Sequence, residues 1–209
     1  GILRRSVPDH SPSPALAFTF DLWEGYLEQK LPDQRTLRAV IAERLGHFTW
    51  PPNMAELKTA LASVRDLFTD VANFSPSQRS AILGVLQSAG FVPNRNVRFR
   101  SSTNVEDSEQ FSGAGLYDSF SGCLGDDLDG DSRGPSLCDS TETNERGVLR
   151  ALRKVFASFY NDNAFLERLR HGVNETNVGM AVLVHYSTPD EFELANGVAT
   201  LEIRSYSGG

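Results

Sequence analysis

The sequence lacks three features that would each place it in a familiar class of protein. It has no excess of positive charge: the formal net charge of its 209 residues is -7, whereas nucleic-acid binders usually present a basic surface. No apolar run approaches the roughly 18 residues that a membrane-spanning helix needs. No basic segment followed by an apolar stretch marks a secretory signal. These absences predict a cytoplasmic protein that binds neither nucleic acid nor a membrane.

Cysteine is also scarce, because the chain contains only Cys123 and Cys138. Disulfides are rare in cytosolic proteins, where the redox environment keeps thiols reduced. We therefore expect two free thiols. A disulfide that closes the segment between the two cysteines is the alternative.

What the sequence does contain is typical of a globular domain, with 40% hydrophobic and 22% charged residues in a chain long enough to bury a sizeable core. Residues 1–14 are rich in proline and serine, which predicts a mobile tail. Apolar side chains recur mostly at helical spacing in residues 15–95, and strand patterns appear in residues 96–209. The length allows one large domain or two small subdomains. We predict one domain over residues 15–209, with a mainly helical first part and a sheet-containing second part.

Within the second part, segment 122–145 is strongly acidic and has the composition of a loop. Asp127, Asp129 and Asp131 suggest a calcium-binding loop, which requires glycine at its sixth position and glutamate at its twelfth. Counted from Asp127, the sixth position is Ser132 and the twelfth is a cysteine, so the template does not fit. We predict a solvated or disordered insertion.

The most informative stretch spans residues 97–120. Val97 and Phe99 alternate with Arg98 and Arg100, which is the period-two pattern of a strand. A cluster of hydroxyl side chains follows, and then a loop of small residues. Arginine presents a planar fork of donors that matches phosphate, and glycine lets backbone N–H groups approach phosphate oxygens. The stretch favours an anion-binding hairpin; a serine- and glycine-rich surface hairpin is the alternative.

Two motifs in this stretch resemble those of a known family. RSSTNVED at residues 100–107 and FSGAGLYD at residues 111–118 are similar to the linked motifs of the ATP-binding domain of phosphoenolpyruvate synthase and pyruvate phosphate dikinase. Further similarity lies at residues 151–162, 178–185 and 195–200. The resemblance extends over residues 15–200, and its most specific part is the pair of motifs at their expected separation.

The resemblance implies an α/β (α+β) fold of the ATP-grasp type, with a mixed or antiparallel sheet flanked by helices and a helical N-terminal half. Arg100 is expected to contact the phosphates of ATP, and the backbone from Gly113 to Gly115 to cover them. Ser119 is expected to donate a hydrogen bond to a phosphate. His185 and the residue after it, Tyr186, are expected beside adenine.

By resemblance the chain is an ATP-binding module of a phosphotransferase. In that family a phosphoryl group passes from ATP, with Mg²⁺, to a histidine on another domain and then to a pyruvate-type acceptor. The family's glycine- and lysine-containing loop is missing from residues 1–14, and no metal-binding carboxylates are identified; Glu202 is a weak candidate. Either the chain is a fragment or this branch has lost these parts.

Two further interpretations therefore stay open. One is a degenerate, non-catalytic relative that acts as a binding or regulatory module. The other is a dikinase with a different phosphoryl acceptor. The sequence does not decide whether this chain alone is an enzyme.

Overall fold

The structure of the chain, a computed structural model, describes residues 14–105, 107–108, 111–112, 115–131 and 133–187. The described strands are Ala15–Phe18 (β1), Asn96–Thr103 (β2), Asp107–Ser108 (β3), Phe111–Ser112 (β4), Ser119–Cys123 (β5) and Met180–Tyr186 (β6). The described α-helices are Phe20–Leu27 (α1), Leu37–Leu45 (α2), Met54–Asp66 (α3), Pro76–Ser88 (α4), Val148–Ala157 (α5) and Asp162–Arg170 (α6). The predicted tail, apart from its last residue, lies outside the described residues.

Helices α3 and α4 begin where side chains satisfy free backbone N–H groups. Asn53 accepts hydrogen bonds from the first turn of α3. Ser75 and Gln78 form a capping box at the start of α4, and Pro76 occupies its first turn, where a missing N–H costs nothing. Local chemistry that is visible in the sequence thus sets these two boundaries.

An aromatic core joins the helices to one another. Trp23 of α1 lies with its ring 5.2 Å from that of Phe156 and 4.9 Å from that of Phe159, measured between centroids. Tyr26, one turn further along α1, donates a hydrogen bond of 2.9 Å to the backbone oxygen of Ala72. Burial raises the pKa of Tyr26, so the hydroxyl stays a donor. These contacts hold α1 against α5 and the turn after α3.

The main sheet has four strands in the order β1-β6-β2-β5, and every neighbouring pair is antiparallel. The strands β3 and β4 form a separate two-stranded ribbon. Helix α5 packs against β5, β2 and β6, and α1 packs against β6. The prediction of an α+β fold with an antiparallel sheet flanked by helices is confirmed, and the arrangement is consistent with the ATP-grasp type.

The prediction of a solvated or disordered insertion over segment 122–145 is wrong for its first residues, because residues 122–126 are buried, whereas residues 128–131 are exposed to solvent. Asp126 is only 4% exposed, and its carboxylate accepts hydrogen bonds from the backbone N–H groups of Leu137 (2.8 Å) and Arg146 (2.7 Å). Asp127 accepts a bond from the first turn of α5, and burial raises the pKa of its carboxyl. These carboxylates organise the loop backbone, which composition alone does not reveal.

The expectation of two free thiols is also wrong, because Cys123 and Cys138 form a disulfide. Cys123 is buried at the end of β5, and the Cα atoms of the two residues lie 5.6 Å apart, within the usual range for this bond. Disulfides are typical of oxidising compartments, so the cytoplasmic location stays a prediction. In the described part of the chain, no helix combines the length and apolar character needed to cross a membrane.

Candidate functional site

The two faces of the main sheet differ in what lies against them. Successive side chains of a strand point to opposite faces. On β2, Val97 and Phe99 are buried beneath α5, whereas Arg98 is half-buried and Arg100 is exposed. On β6 the same alternation leaves Leu183 with 45% of its surface exposed. We call the face that carries Arg100 the open face, because no described helix lies against it.

Arg100 lies in the middle of the open face with a partner on each side. Its register partner on β5 is Ser119, and its register partner on β6 is Leu183. Directly opposite residues of an antiparallel pair have Cβ atoms about 4.5–5.5 Å apart. The structure therefore brings together Arg100 and Ser119, the two side chains that the resemblance assigns to phosphate.

A second row of polar side chains lies beside the first. Arg98 has Ser121 of β5 and His185 of β6 as its register partners. Its Nη1 donates a hydrogen bond of 3.3 Å to the Oγ of Ser121, which is 2.9 Å from the Oγ of Ser187. The Nδ1 of His185 is 2.7 Å from the carbonyl oxygen of Tyr186. Because a carbonyl can only accept, Nδ1 donates this hydrogen bond, and Nε2 has no hydrogen-bond partner among the described residues.

The open face is cationic. Its described strand residues are Ala15, Ala17, Asn96, Arg98, Arg100, Ser102, Ser119, Ser121, Cys123, Ala181, Leu183 and His185. None of these carries a carboxylate. Within the described part of the chain, neither Arg98 nor Arg100 forms an ion pair, although the chain as a whole has a net charge of -7. An anion is the natural ligand for such a surface.

Other predicted site residues lie elsewhere. Gly115 sits at the base of the glycine loop with φ +80°, a conformation that favours glycine. Gly113 lies outside the described residues. Tyr186 is only 6% exposed and points to the face opposite His185; its hydroxyl accepts from the backbone N–H of Val92 and donates to a carbonyl. The structure therefore does not bring the Tyr186 side chain to the open face.

Sequence reasoning missed Arg98 and Ser121. The signal for Arg98 was present, since the period-two pattern that defines β2 places it on the same face as Arg100. The RSS motif begins at Arg100, so the resemblance gives Arg98 no role. Ser121 gave no comparable signal, because its position opposite Arg98 depends on the register between β2 and β5.

The chain that leaves the glycine loop is anchored firmly before it enters β5. Arg168 is fully buried, and its guanidinium donates to both carboxylate oxygens of Glu175 and to the hydroxyl of Tyr117, at 3.4 Å. Burial opposes the charge of Arg168, but Glu175 outweighs it, and the pKa is raised. The side-chain amide of Asn161 donates to the carboxylate of Asp118 at 2.9 Å. These bonds hold Tyr117 and Asp118 in place, the two residues that directly precede Ser119.

One acidic group has the composition of a metal site. Oxygens of Asp129, Asp131 and Glu145 all lie within 4.8 Å of one another. The hydrogen bond with Asp131 raises the pKa of Glu145 to about 7, and the neighbouring carboxylates add to this shift. The group belongs to the loop after β5 and not to the open face.

Comparison with known protein families shows to which family the chain belongs. The family model described as pyruvate phosphate dikinase, AMP/ATP-binding domain, matches residues 19–200, which is most of the chain. No curated protein matches the sequence. The chain therefore belongs to the family of pyruvate phosphate dikinase AMP/ATP-binding domains. This match confirms the resemblance drawn from the motifs and supports ATP as the ligand.

Proposed function

We propose that the chain is the ATP-binding module of a phosphotransferase similar to phosphoenolpyruvate synthase and pyruvate phosphate dikinase. In this proposal a phosphoryl group passes from ATP to a histidine on another domain, and from there to a pyruvate-type acceptor. The observation that carries the proposal is the open face, where two arginines have hydroxyl neighbours and no described carboxylate partner. Such a face suits a polyphosphate because guanidinium and hydroxyl groups supply many donors.

Each predicted residue has a role that follows from its position. Arg100 pairs with phosphate oxygens through its planar fork, and Ser119, directly opposite, donates its hydroxyl proton. The backbone from Gly113 to Gly115 covers the phosphates; that role rests on the motif. His185 offers its second ring nitrogen to the base. The motif places Tyr186 beside adenine as well, although its side chain faces the core.

Magnesium is the cofactor that the family resemblance implies. Mg²⁺ binds carboxylate oxygens together with substrate phosphates. The described residues of the open face offer no carboxylate, so they do not fit a magnesium site there. The three carboxylates after β5 lie on a different element, and we assign them no part in phosphoryl transfer.

A non-catalytic relative is the second candidate function, and one observation favours it. The described open face contains neither a lysine nor a carboxylate, which are groups that phosphoryl-transfer enzymes commonly use around the phosphates and the metal. In that case the chain is a binding or regulatory module that acts without a nucleotide. A dikinase with another acceptor shares the same open face and differs only in the acceptor.

Calorimetric titration tests the nucleotide proposal. We expect the purified chain to bind ATP with a Kd in the millimolar range or tighter, with or without Mg²⁺. Arg100→Ala should weaken binding by more than about 1.4 kcal/mol, a factor of ten. Arg150→Ala is the matched control, because Arg150 is an exposed residue of α5, on the covered side of the sheet. Absence of heat up to several millimolar ATP would refute the proposal.

A further inference from the structure

Arg98 is the second arginine of the open face, and it precedes the family motif that begins at Arg100. We infer that Arg98 forms a second anion-binding subsite beside Arg100, so that the two arginines together hold a chain of linked phosphates along β2. This inference rests on the proposed function and adds to it the class of ligand that the open face prefers. The chain should select ligands by the number of linked phosphates that they carry.

The spacing of the two arginines supports this ligand. They are two residues apart on one strand, so their Cα atoms lie about 6.6 Å apart along β2. Both side chains rise from the same face. A single phosphate can engage one guanidinium fully, whereas linked phosphates spread their charged oxygens along the strand and reach both. The pair therefore favours triphosphate over monophosphate.

Arg98 is held in place without losing its charge. Its Nη1 donates to the hydroxyl of Ser121, which in turn contacts the hydroxyl of Ser187. A hydroxyl orients a guanidinium but does not neutralise it. Guanidinium has five N–H donors, and only one of them has a hydrogen-bond partner among the described residues. The others can meet a ligand with little further ordering cost.

The surroundings of Arg98 also suit an anion. Two guanidinium groups that share one face without an acidic partner in the described structure repel one another, and a polyphosphate between them removes that repulsion. His185 borders Arg98 on the β6 side, and its Nδ1 is already bonded to a backbone carbonyl. Its Nε2 faces no described hydrogen-bond partner. The proposed function leaves this nitrogen to the base, so the two arginines alone hold the phosphates.

Inorganic polyphosphates test the inference without the adenine. The full chain and its Arg98→Gln, Arg100→Gln and Arg150→Gln variants are titrated by calorimetry with tripolyphosphate, orthophosphate and ATP. Arg98→Gln should weaken tripolyphosphate binding by about tenfold or more, as expected for a lost charge-assisted contact, and change orthophosphate binding much less. Arg150→Gln, which removes the same charge from the covered side, should change neither. Circular dichroism checks that each variant is folded.

Two further results decide whether Arg98 forms a second subsite. Arg98→Lys keeps the charge but not the planar fork, so its affinity for tripolyphosphate should fall between those of the wild type and Arg98→Gln. If Arg98→Gln binds tripolyphosphate and ATP as the wild type does while Arg100→Gln does not, the second subsite is refuted and the proposed function stands. If the wild-type chain binds neither ATP nor tripolyphosphate, the proposed function fails and the inference fails with it.

Discussion

On the covered face of the sheet, Val97 and Phe99 of β2 are completely buried, whereas on the open face the intervening Arg98 and Arg100 meet solvent. The covered face packs against α5 and the aromatic core. The open face has arginine, serine and histidine side chains and no described covering element. Within this strand, Arg98 and Arg100 place charged groups on the open face, and Val97 and Phe99 place buried apolar side chains on the covered face. Substitutions at neighbouring positions should therefore separate stability from ligand binding.

The largest expected effect is on the covered face. Phe99→Ala should lower the free energy of unfolding by about 3–5 kcal/mol, because it removes a completely buried ring and leaves a cavity at the centre of the sheet. Arg100→Ala, at the next position, should change it by no more than about 0.5 kcal/mol. Urea denaturation of the two variants measures both. Similar losses at the two positions would contradict the division of the sheet into two faces.

The disulfide at the end of β5 has the next largest expected effect. It closes a loop with a sequence separation of 15, and a loop of this size contributes about 3 kcal/mol to stability. Reduction with a dithiol should therefore lower the midpoint of urea unfolding. It should leave ATP affinity nearly unchanged, because Arg100 and Ser119 are held by the sheet register and not by this bond.

The control for this prediction is the double variant Cys123→Ala/Cys138→Ala, which should unfold at the same denaturant concentration with and without the dithiol. If reduction abolishes ATP binding while the chain stays folded, the bond supports the open face directly and the two regions are coupled.

The sequence was sufficient to predict those parts of the fold that depend on local chemistry. The alternation of Val97, Arg98, Phe99 and Arg100 predicts both the strand and its two faces. The capping residues before α3 and α4 predict where those helices begin. For the site, the same alternation places Arg100 on a surface. The family motif assigned Arg100 and Ser119 separately to the phosphates, and the structure adds the register that makes the two side chains neighbours.

What the sequence did not predict depends on contacts between distant residues. His185 and Tyr186 are consecutive residues of one strand, so their side chains point to opposite faces of the sheet, and the prediction that both residues neighbour adenine stays a prediction. Family motifs gave both residues the same role and ignored this constraint. Asp126 looked solvated because composition records its charge but not the backbone N–H groups of Leu137 and Arg146 that it meets in the folded chain.

The smallest expected effect concerns an apolar side chain on the open face. Leu183→Ala should change the free energy of unfolding by no more than about 0.5 kcal/mol, because this side chain already meets solvent. Val184→Ala, at the next position, should cost roughly 1.5–3 kcal/mol, because that side chain is completely buried. Chemical denaturation of the two variants compares them directly. If Leu183→Ala is as destabilising as Val184→Ala, the open face is covered in solution, and Arg100, directly beside Leu183, cannot receive ATP without displacing what covers it.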